Sequence, residues 1–172
     1  MSSTSMSSKK FTACSQFPSV AFPTISHGAM DLAAMDGWRM LVVYRGKHCP
    51  LCKKMFKAFD AILDDYKAAG VSVVAISADP LPKAEADAAA EGWRFPVGYD
   101  LSVDQMRQLG LYISTPRSAE ETDRPFAEPG LFVINPEGKL QIIDISNAPF
   151  ARPDLGMILM GINFVKDKGY PV

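Results

Sequence analysis

Two apolar, β-branched segments on either side of one amphipathic segment constrain the fold of this chain more than any other feature. Residues 40–44 read "MLVVY" and residues 71–77 read "VSVVAIS", and such runs are typical of buried strands. Between them, apolar residues recur at helical spacing from Pro50 to Tyr66, and Gly70 follows as a helix stop. The pattern predicts a β-α-β unit with parallel strands and a right-handed crossover.

Further helices and a strand pair are predicted after this unit. Helix formers behind a proline predict a helix over 82–91, and a capping-box pattern predicts a short helix over 102–110. A polar, proline-punctuated loop spans 111–129. The segments "LFVI" and "KLQIIDIS" predict strands joined by a tight turn at Asn135–Gly138, and a last helix is predicted from Pro153–Asp154.

The order of these elements is that of thioredoxin-like folds. We therefore predict an α/β protein with a mixed central sheet and helices on both faces. A chain of 172 residues suits a single globular domain. We place this domain at residues 13–172, behind a disordered, Ser-rich tail at residues 1–12.

Charge and hydropathy exclude several classes of function. The net charge is -1, and Lys and Arg form no basic block beyond KK pairs, so nucleic acid and anionic membranes are not expected as partners. No apolar run approaches the ~20 residues needed to cross a bilayer. The N-terminus has neither signal-peptide nor transit-peptide character. We expect a cytoplasmic protein that acts on small molecules or proteins.

Cys49 and Cys52 form a CxxC pair at the start of the predicted helix. With Pro50 as the first helical residue, Cys49 occupies the N-cap and Cys52 lies in the first turn. The free N–H groups and positive dipole end of the helix then favour the Cys49 thiolate. Such settings lower a cysteine pKa to roughly 3.5–7.5 from a free value near 8.5. We predict Cys49 as the nucleophile and the less exposed Cys52 as the resolving thiol.

Basic residues precede the pair at Arg45, Lys47 and His48. Any of these side chains that points inward adds a positive field at Cys49. For His48 the alternative is a partly exposed histidine that only borders the site.

Two other interpretations of the cysteine pair are buried structural thiols and half of a zinc site. Zinc needs about four ligands, and beyond the pair the chain offers only Cys14, His27 and His48. We therefore predict no metal and no organic cofactor. Cys14 lies in an irregular segment and is interpreted as a bystander rather than as a second resolving cysteine.

Pro129 immediately precedes the strand segment "LFVI", at a point that faces the cysteine pair in the predicted fold. An X-Pro bond at such a point can be cis and leave backbone groups open to a substrate. We predict a cis Glu128–Pro129 bond, with an ordinary trans proline as the alternative.

The stretches "RGKHCPLC" at 45–52, "GVSVVAISAD", "EPGLFVINPEGKL" and "PFARPDL" carry a family resemblance. Together they resemble the peroxiredoxin-like proteins of the alkyl hydroperoxide reductase and thiol-specific antioxidant (AhpC/TSA) family, over Met30 to Val172. The resemblance implies a thioredoxin fold and thiol-based antioxidant or reductase activity. It also implies Cys49 as the peroxidatic or attacking cysteine, Cys52 as the resolving cysteine and Pro129 as the cis-proline.

The chain departs from the peroxiredoxin pattern beside the attacking cysteine. Typical members carry a proline seven residues before that cysteine and a threonine or serine three residues before it, where this chain has Val42 and Gly46. The usual site arginine corresponds to Pro129, which leaves Arg45 as the candidate source of positive charge.

The buried acid of thioredoxins also has no counterpart, because Val43 stands at its position. Glu128 is the remaining candidate as proton acceptor for Cys52. We predict a thiol oxidoreductase that attacks a hydroperoxide or a disulfide and forms an intramolecular disulfide, which an external thioredoxin or glutathione system reduces. The alternative is a non-enzymatic redox sensor or binding module that uses loop 111–129 as its signal element. The oligomeric state stays open, with a homodimer as one outcome.

Overall fold

The predicted β-α-β unit lies at the centre of the structure, a computed structural model that describes residues 10–170. A short 3-10 helix spans Leu32–Ala34. The other elements, in chain order, are β1 Ala21–Pro23, β2 Ala29–Asp31, β3 Trp38–Val43, α1 Pro50–Asp60, α2 Leu63–Ala68, β4 Val71–Ile76, α3 Leu81–Glu91, β5 Val97–Gly98, α4 Val103–Gln108, β6 Ile113–Ser114, β7 Phe126–Ala127, β8 Gly130–Ile134, β9 Leu140–Ile145 and α5 Leu155–Lys168.

Five strands form the central sheet in the order β5-β4-β3-β8-β9. β3 and β4 are parallel, whereas β8 runs antiparallel to both of its neighbours, β3 and β9. The β8–β9 turn closes with the Gly138 N–H donating to the Asn135 carbonyl (2.9 Å). The mixed sheet confirms the thioredoxin-like α/β fold predicted from the order of elements.

Each face of the sheet carries its own hydrophobic core. Alternate residues of β3 point to opposite faces, so Leu41 belongs to one core and Met40 to the other. Helix α4 packs on the Leu41 face through Met106, and helices α1, α2 and α5 pack on the Met40 face. The Tyr66 hydroxyl ties α2 to α5 by donating to the Leu155 carbonyl (2.6 Å). Helices therefore cover both faces, as predicted.

The single helix predicted from Pro50 to Gly70 is two helices, α1 and α2. The chain leaves helical geometry at Ile62 (φ -117°, ψ 7°), and α2 restarts after it. Leu63 and Tyr66 of α2 are both buried in the core. Helical periodicity alone does not show such a break, because the apolar spacing continues through it.

Short strands that the sequence did not predict lie in the irregular segments. β1 pairs with β2, β5 pairs with β4, and β6 pairs with β7 inside loop 111–129. The short strands are β1, β2, β5, β6 and β7, with two or three residues each. They are too short to show an alternation of apolar and polar residues in the sequence.

The predicted tail at residues 1–12 lies mostly outside the described residues. Within the described part, Phe11 packs edge-on against Phe132 of β8, with ring centroids 6.0 Å apart. The division into a tail and one domain stays a prediction. None of the helices between residues 10 and 170 has the length and apolar character of a membrane-spanning segment.

Candidate active site

The cysteine pair lies where β3 ends and α1 begins. Cys49 is the N-cap of α1 with extended backbone (φ -106°, ψ 101°), and Pro50 opens the helix. The Cys49 carbonyl accepts the N–H groups of Cys52 (3.2 Å) and Lys53 (3.4 Å). Its sulfur makes no capping hydrogen bond of its own, and both cysteines are 1 % exposed. The predicted placement of Cys49, Pro50 and Cys52 on the helix is confirmed.

The pKa values of the two cysteines are shifted in opposite directions. The hydrogen bond from Cys52 is the largest influence that lowers the pKa of Cys49, to about 5. The same hydrogen bond, together with burial, raises the pKa of Cys52 above its usual range. At neutral pH the pair therefore holds one thiolate, on Cys49, and one thiol, on Cys52.

Arg152, which sequence reasoning did not identify, contacts both sulfurs. Its Nη2 lies 3.1 Å from the Cys52 Sγ and 3.8 Å from the Cys49 Sγ. Nε donates to the Pro149 carbonyl (2.6 Å) and Nη1 contacts the Met55 sulfur (3.4 Å), so the guanidinium is held in place. In the sequence, the only indication that Arg152 belongs to the site was the stretch "PFARPDL", in which this arginine precedes the last helix.

Arg45 is the second guanidinium at the site. It lies beside the Cys49 sulfur and contributes to the low pKa of that thiol. Its Nε is 3.1 Å from Glu128 Oε2, and its charge stands 4.8 Å above the Phe126 ring. Glu128, 4 % exposed, also accepts a hydrogen bond from the Ser114 hydroxyl (2.7 Å). The structure thus gives Glu128 a role in holding Arg45.

His48 borders the site without adding charge to it. Its ring packs edge-on against Phe126, with centroids 4.6 Å apart. Burial lowers the pKa of His48, and the nearby Arg45 lowers it further, so the imidazole is neutral at pH 7. Of the two interpretations of His48, this geometry favours the histidine that only borders the site. Lys47 is exposed, and its backbone N–H donates to Asp79 Oδ2 (2.7 Å).

Asp79 occupies the space beside Gly46, where peroxiredoxins carry a hydroxyl side chain. A Cβ at Gly46 would lie 2.9 Å from both Asp79 carboxylate oxygens, and the residue has φ +130°, which L side chains rarely adopt. The carboxylate is buried and binds the Lys47 N–H, so it fixes the loop that leads into Cys49. Glycine at position 46 is therefore required by the local packing.

The prediction of a cis Glu128–Pro129 bond is wrong, because no peptide bond between residues 10 and 170 is cis. The trans form is also the ground state of most X-Pro bonds, by about 0.5–1 kcal/mol. Pro129 still faces the site, because it lines a small cavity together with Met55 and Arg152.

Cys14 lies at the opposite end of the sheet from the cysteine pair. It lines a surface groove with Trp38, the first residue of β3, whereas Cys49 lies beyond the other end of that strand, after residues 44–48. At 3.3 Å per residue, the ends of β3 are about 17 Å apart. Within residues 10–170, no group of three or more His, Cys, Asp or Glu residues could hold a metal ion.

Comparisons with known proteins agree with this geometry. The family model described as AhpC/TSA family matches residues 14–143, which is most of the chain. The chain belongs to the AhpC/TSA family. Membership makes this AhpC/TSA protein a thiol oxidoreductase. A comparison with curated protein sequences gave no match.

Solved structures place the AhpC/TSA chain among the peroxiredoxins in fold. Peroxiredoxin 6 of Arenicola marina, in a mutant with one cysteine replaced by serine, has a TM-score of 0.77 at 18% identity, covering 91% of this chain and 74% of that one. A peroxiredoxin-like protein from Aquifex aeolicus has 0.75 at 16% identity, covering 90% and 88%. Peroxidoxin BcpB from Mycobacterium tuberculosis has 0.71 at 19% identity, covering 89% and 97%.

Proposed function

We propose that this AhpC/TSA protein is a thiol-dependent peroxidase in which Cys49 attacks a hydroperoxide and Cys52 resolves the product. The Cys49 thiolate attacks the outer peroxide oxygen, the O–O bond breaks, and an alcohol or water leaves after taking up a proton. Cys49 is then a sulfenic acid. The Cys52 sulfur attacks the Cys49 sulfur and expels water, which leaves an intramolecular disulfide.

The observation that carries the proposal is the convergence of two guanidinium groups on the cysteine pair. Arg152 contacts both sulfurs, and Arg45 lies beside Cys49. Negative charge moves from sulfur to oxygen as the O–O bond breaks, and fixed positive donors stabilise charge of that kind. The two arginines supply these donors although Gly46 lacks the family's hydroxyl group.

The reductant in this cycle is an external thiol, since the remaining cysteine, Cys14, lines a groove at the far end of the sheet. A thioredoxin or glutathione system would attack the disulfide and return both cysteines to thiols. No cofactor enters the proposed cycle.

Single-turnover kinetics of the reduced protein test the proposal. The protein is mixed with hydrogen peroxide, an organic hydroperoxide and a small disulfide in separate experiments, and the free thiols are then counted by mass spectrometry. We expect fast oxidation by a hydroperoxide and a sulfenic acid at Cys49 that accumulates in Cys52→Ser. Fast reaction with the small disulfide alone would overturn peroxidase activity.

Disulfide reduction is the second candidate function, and the site around Gly46 favours it. The peroxide-binding hydroxyl is absent there, and the Asp79 carboxylate fills the space. Under this alternative the attack of Cys49 on a substrate disulfide leaves a mixed disulfide, which Cys52→Ser would trap. The sensor alternative predicts oxidation without turnover, together with a change of proteolysis in loop 111–129 between the two redox states.

A further inference from the structure

A surface groove at the opposite end of the sheet from the cysteine pair takes no part in the proposed reaction. It has a volume of about 590 Å³ and lies between the β8–β9 turn, the start of β3 and the end of α5. Small-molecule sites usually have volumes of roughly 300–1,000 Å³. We call it the Cys14 groove, and its lining includes Cys14, Trp38, Lys139, Gln141, Val165 and Lys166.

One amide nitrogen in the wall of the Cys14 groove has no acceptor. Gln141 is only 8 % exposed, and its Oε1 accepts a hydrogen bond from Asn135 Nδ2 (3.4 Å). The Asn135 amide is fixed in this orientation, because its Oδ1 accepts the N–H groups of Glu137 (3.1 Å) and Lys139 (2.9 Å). Gln141 Nε2 therefore stays buried without a partner within residues 10–170. Such a donor costs stability, and a bound ligand that supplies an acceptor would explain it.

A β-bulge in β9 gives Gln141 its direction. Val133 of β8 pairs with Ile142, and the next residue, Ile134, pairs with Leu140. Gln141 is thus an extra residue of β9 without a partner on β8, and it lines the groove on the side of α5. Bulges re-aim side chains and are frequent beside functional sites.

A backbone hydrogen bond holds Cys14 beside this bulge. The Leu140 N–H donates to the Ser15 carbonyl (2.9 Å). The next residue after Leu140 is Gln141 and the residue before Ser15 is Cys14, and both line the groove. Cys14 is partly exposed, whereas the cysteine pair at the other end of the sheet is buried. A small molecule in the groove can therefore reach the Cys14 side chain.

The charges of the Cys14 groove suit an acidic ligand. Lys139 and Lys166 line it, and Glu137 is the one acidic residue in its described lining. Lys139 is exposed and makes no ion pair within residues 10–170. The Lys166 ammonium donates to the Ala69 carbonyl, which is neutral and leaves its charge uncompensated. The two ammonium groups outnumber the acid, so the groove attracts carboxylates.

We propose that the Cys14 groove binds the disulfide of a small acidic thiol peptide and that Cys14 forms a mixed disulfide with it. Glutathione disulfide has this chemistry. Its carboxylates would pair with Lys139 and Lys166, its sulfur would meet Cys14, and its amide carbonyl would accept from Nε2 once the Gln141 side chain turns toward it. The inference does not rest on the proposed function, because neither cysteine of the pair takes part.

The chemical step is a thiol–disulfide exchange. The Cys14 thiol gives its proton to solvent, and its sulfur attacks one sulfur of the bound disulfide. A new S–S bond forms while the S–S bond of the ligand breaks, and the leaving thiolate takes up a proton. Cys14 is oxidised to the mixed disulfide, and half of the ligand is reduced to a thiol.

Mass spectrometry of the Cys49→Ser and Cys52→Ser double variant tests this step, because Cys14 is then the one cysteine of the chain. The protein is mixed with glutathione disulfide and, separately, with the uncharged hydroxyethyl disulfide. Each rate of mixed-disulfide formation is divided by the rate of the same disulfide with free cysteine. We expect the corrected rate with glutathione disulfide to be at least about tenfold higher, since the groove concentrates the acidic ligand. Equal corrected rates would overturn the proposal.

Substitutions in the same double variant test the two recognition elements. Lys139→Gln and Gln141→Leu should each lower the preference for glutathione disulfide by at least about threefold, because each removes one interaction with the ligand. The rate with hydroxyethyl disulfide should stay within about twofold, which also shows that the variant is folded around Cys14. Lys57→Gln, at an exposed lysine of α1, is the matched control and should change neither rate. An equal loss of preference in Lys57→Gln would overturn recognition by the groove.

A protection experiment separates binding from the covalent step. S-methylglutathione, which has no thiol to exchange, should slow the alkylation of Cys14 by iodoacetamide in the double variant, and Lys139→Gln should remove this protection. Absence of protection would overturn the binding site. Protection without a mixed disulfide from glutathione disulfide would overturn the role of Cys14. Both results are independent of whether the protein reduces hydroperoxides.

Discussion

Arg152 Nη2 lies 3.1 Å from the sulfur of Cys52, although the two residues are 100 positions apart in the chain. The same guanidinium reaches Cys49 as well (3.8 Å). Because the segment between β9 and α5 carries Arg152, the docking of α5 on the sheet contributes directly to the charge at the two sulfurs.

Replacement of Arg152 should make the thiolate form of Cys49 less stable relative to the thiol. In Arg152→Met we expect the pKa of Cys49 to rise and hydroperoxide reduction to slow by about tenfold or more, since loss of one stabilising charge of about 1.4 kcal/mol corresponds to that factor. The pH dependence of alkylation by iodoacetamide gives the pKa, and stopped-flow mixing gives the rate. Arg107→Met, at an exposed arginine of α4, is the control. Equal effects in both variants would contradict a specific role for Arg152.

The rate at which Cys49 reacts with a hydroperoxide should depend on the ionisation of its own thiol, which occurs at low pH. Because the Cys52 hydrogen bond lowers the pKa of Cys49 to about 5, the rate with a hydroperoxide should be constant from about pH 6 to 8 and should fall about tenfold per unit below about pH 5. In Cys52→Ala the midpoint should move upward, because the hydrogen bond is lost. A wild-type midpoint near the free thiol value of about 8.5 would show that Cys49 is not activated.

Stability should also depend on the ionisation of Cys49. The folded state loses this proton near pH 5, whereas the unfolded chain keeps it to about pH 8.5. Between these values the unfolded state binds more protons, so the free energy of unfolding should rise with pH, by at most about 1.4 kcal/mol per unit for one proton. The raised pKa of Cys52 acts in the opposite direction, but only above about pH 8.5. Urea titrations of the reduced protein at several pH values should show this slope, and Cys49→Ala should lose it.

Position 46 should not tolerate a side chain. In Gly46→Ala the new Cβ would meet the Asp79 oxygens at 2.9 Å on a backbone with φ +130°, so we expect a loss of about 2–4 kcal/mol in the free energy of unfolding. Gly37→Ala is the matched control, because Gly37 also has positive φ (+72°) but open space around it, and should cost about 1 kcal/mol. Chemical denaturation measures both. Similar losses in the two variants would show that Asp79 does not restrict position 46.

Peroxidase activity of any soluble Gly46→Ala protein should fall as well, because the loop from Arg45 to Cys49 would have to shift. The added substitution Asp79→Ala should recover part of the stability by removing the clash, but not the activity, because the Lys47 N–H would lose its acceptor.

Local patterns in the sequence determined the β-α-β unit, the hairpin, the capped helices and the placement of Cys49 and Cys52 at the start of α1. Each of these follows from interactions within a few residues: periodic burial, a proline that opens the helix, and a cysteine that precedes it. The same reasoning predicted Arg45 and Glu128 as site residues, because Arg45 lies just before the cysteine pair and Glu128 just before the strand segment "LFVI".

Only the tertiary structure decided what surrounds the sulfurs. Arg152 comes from a segment 100 positions after Cys52, and the stretch "PFARPDL" around it does not by itself identify it as part of the site. The neutral state of His48, the trans bond before Pro129 and the carboxylate beside Gly46 depend likewise on packing between distant segments. The sequence by itself therefore determined which cysteines are the candidate reactive residues, whereas long-range packing decided the charges around them, because these arise from contacts that local propensity does not encode.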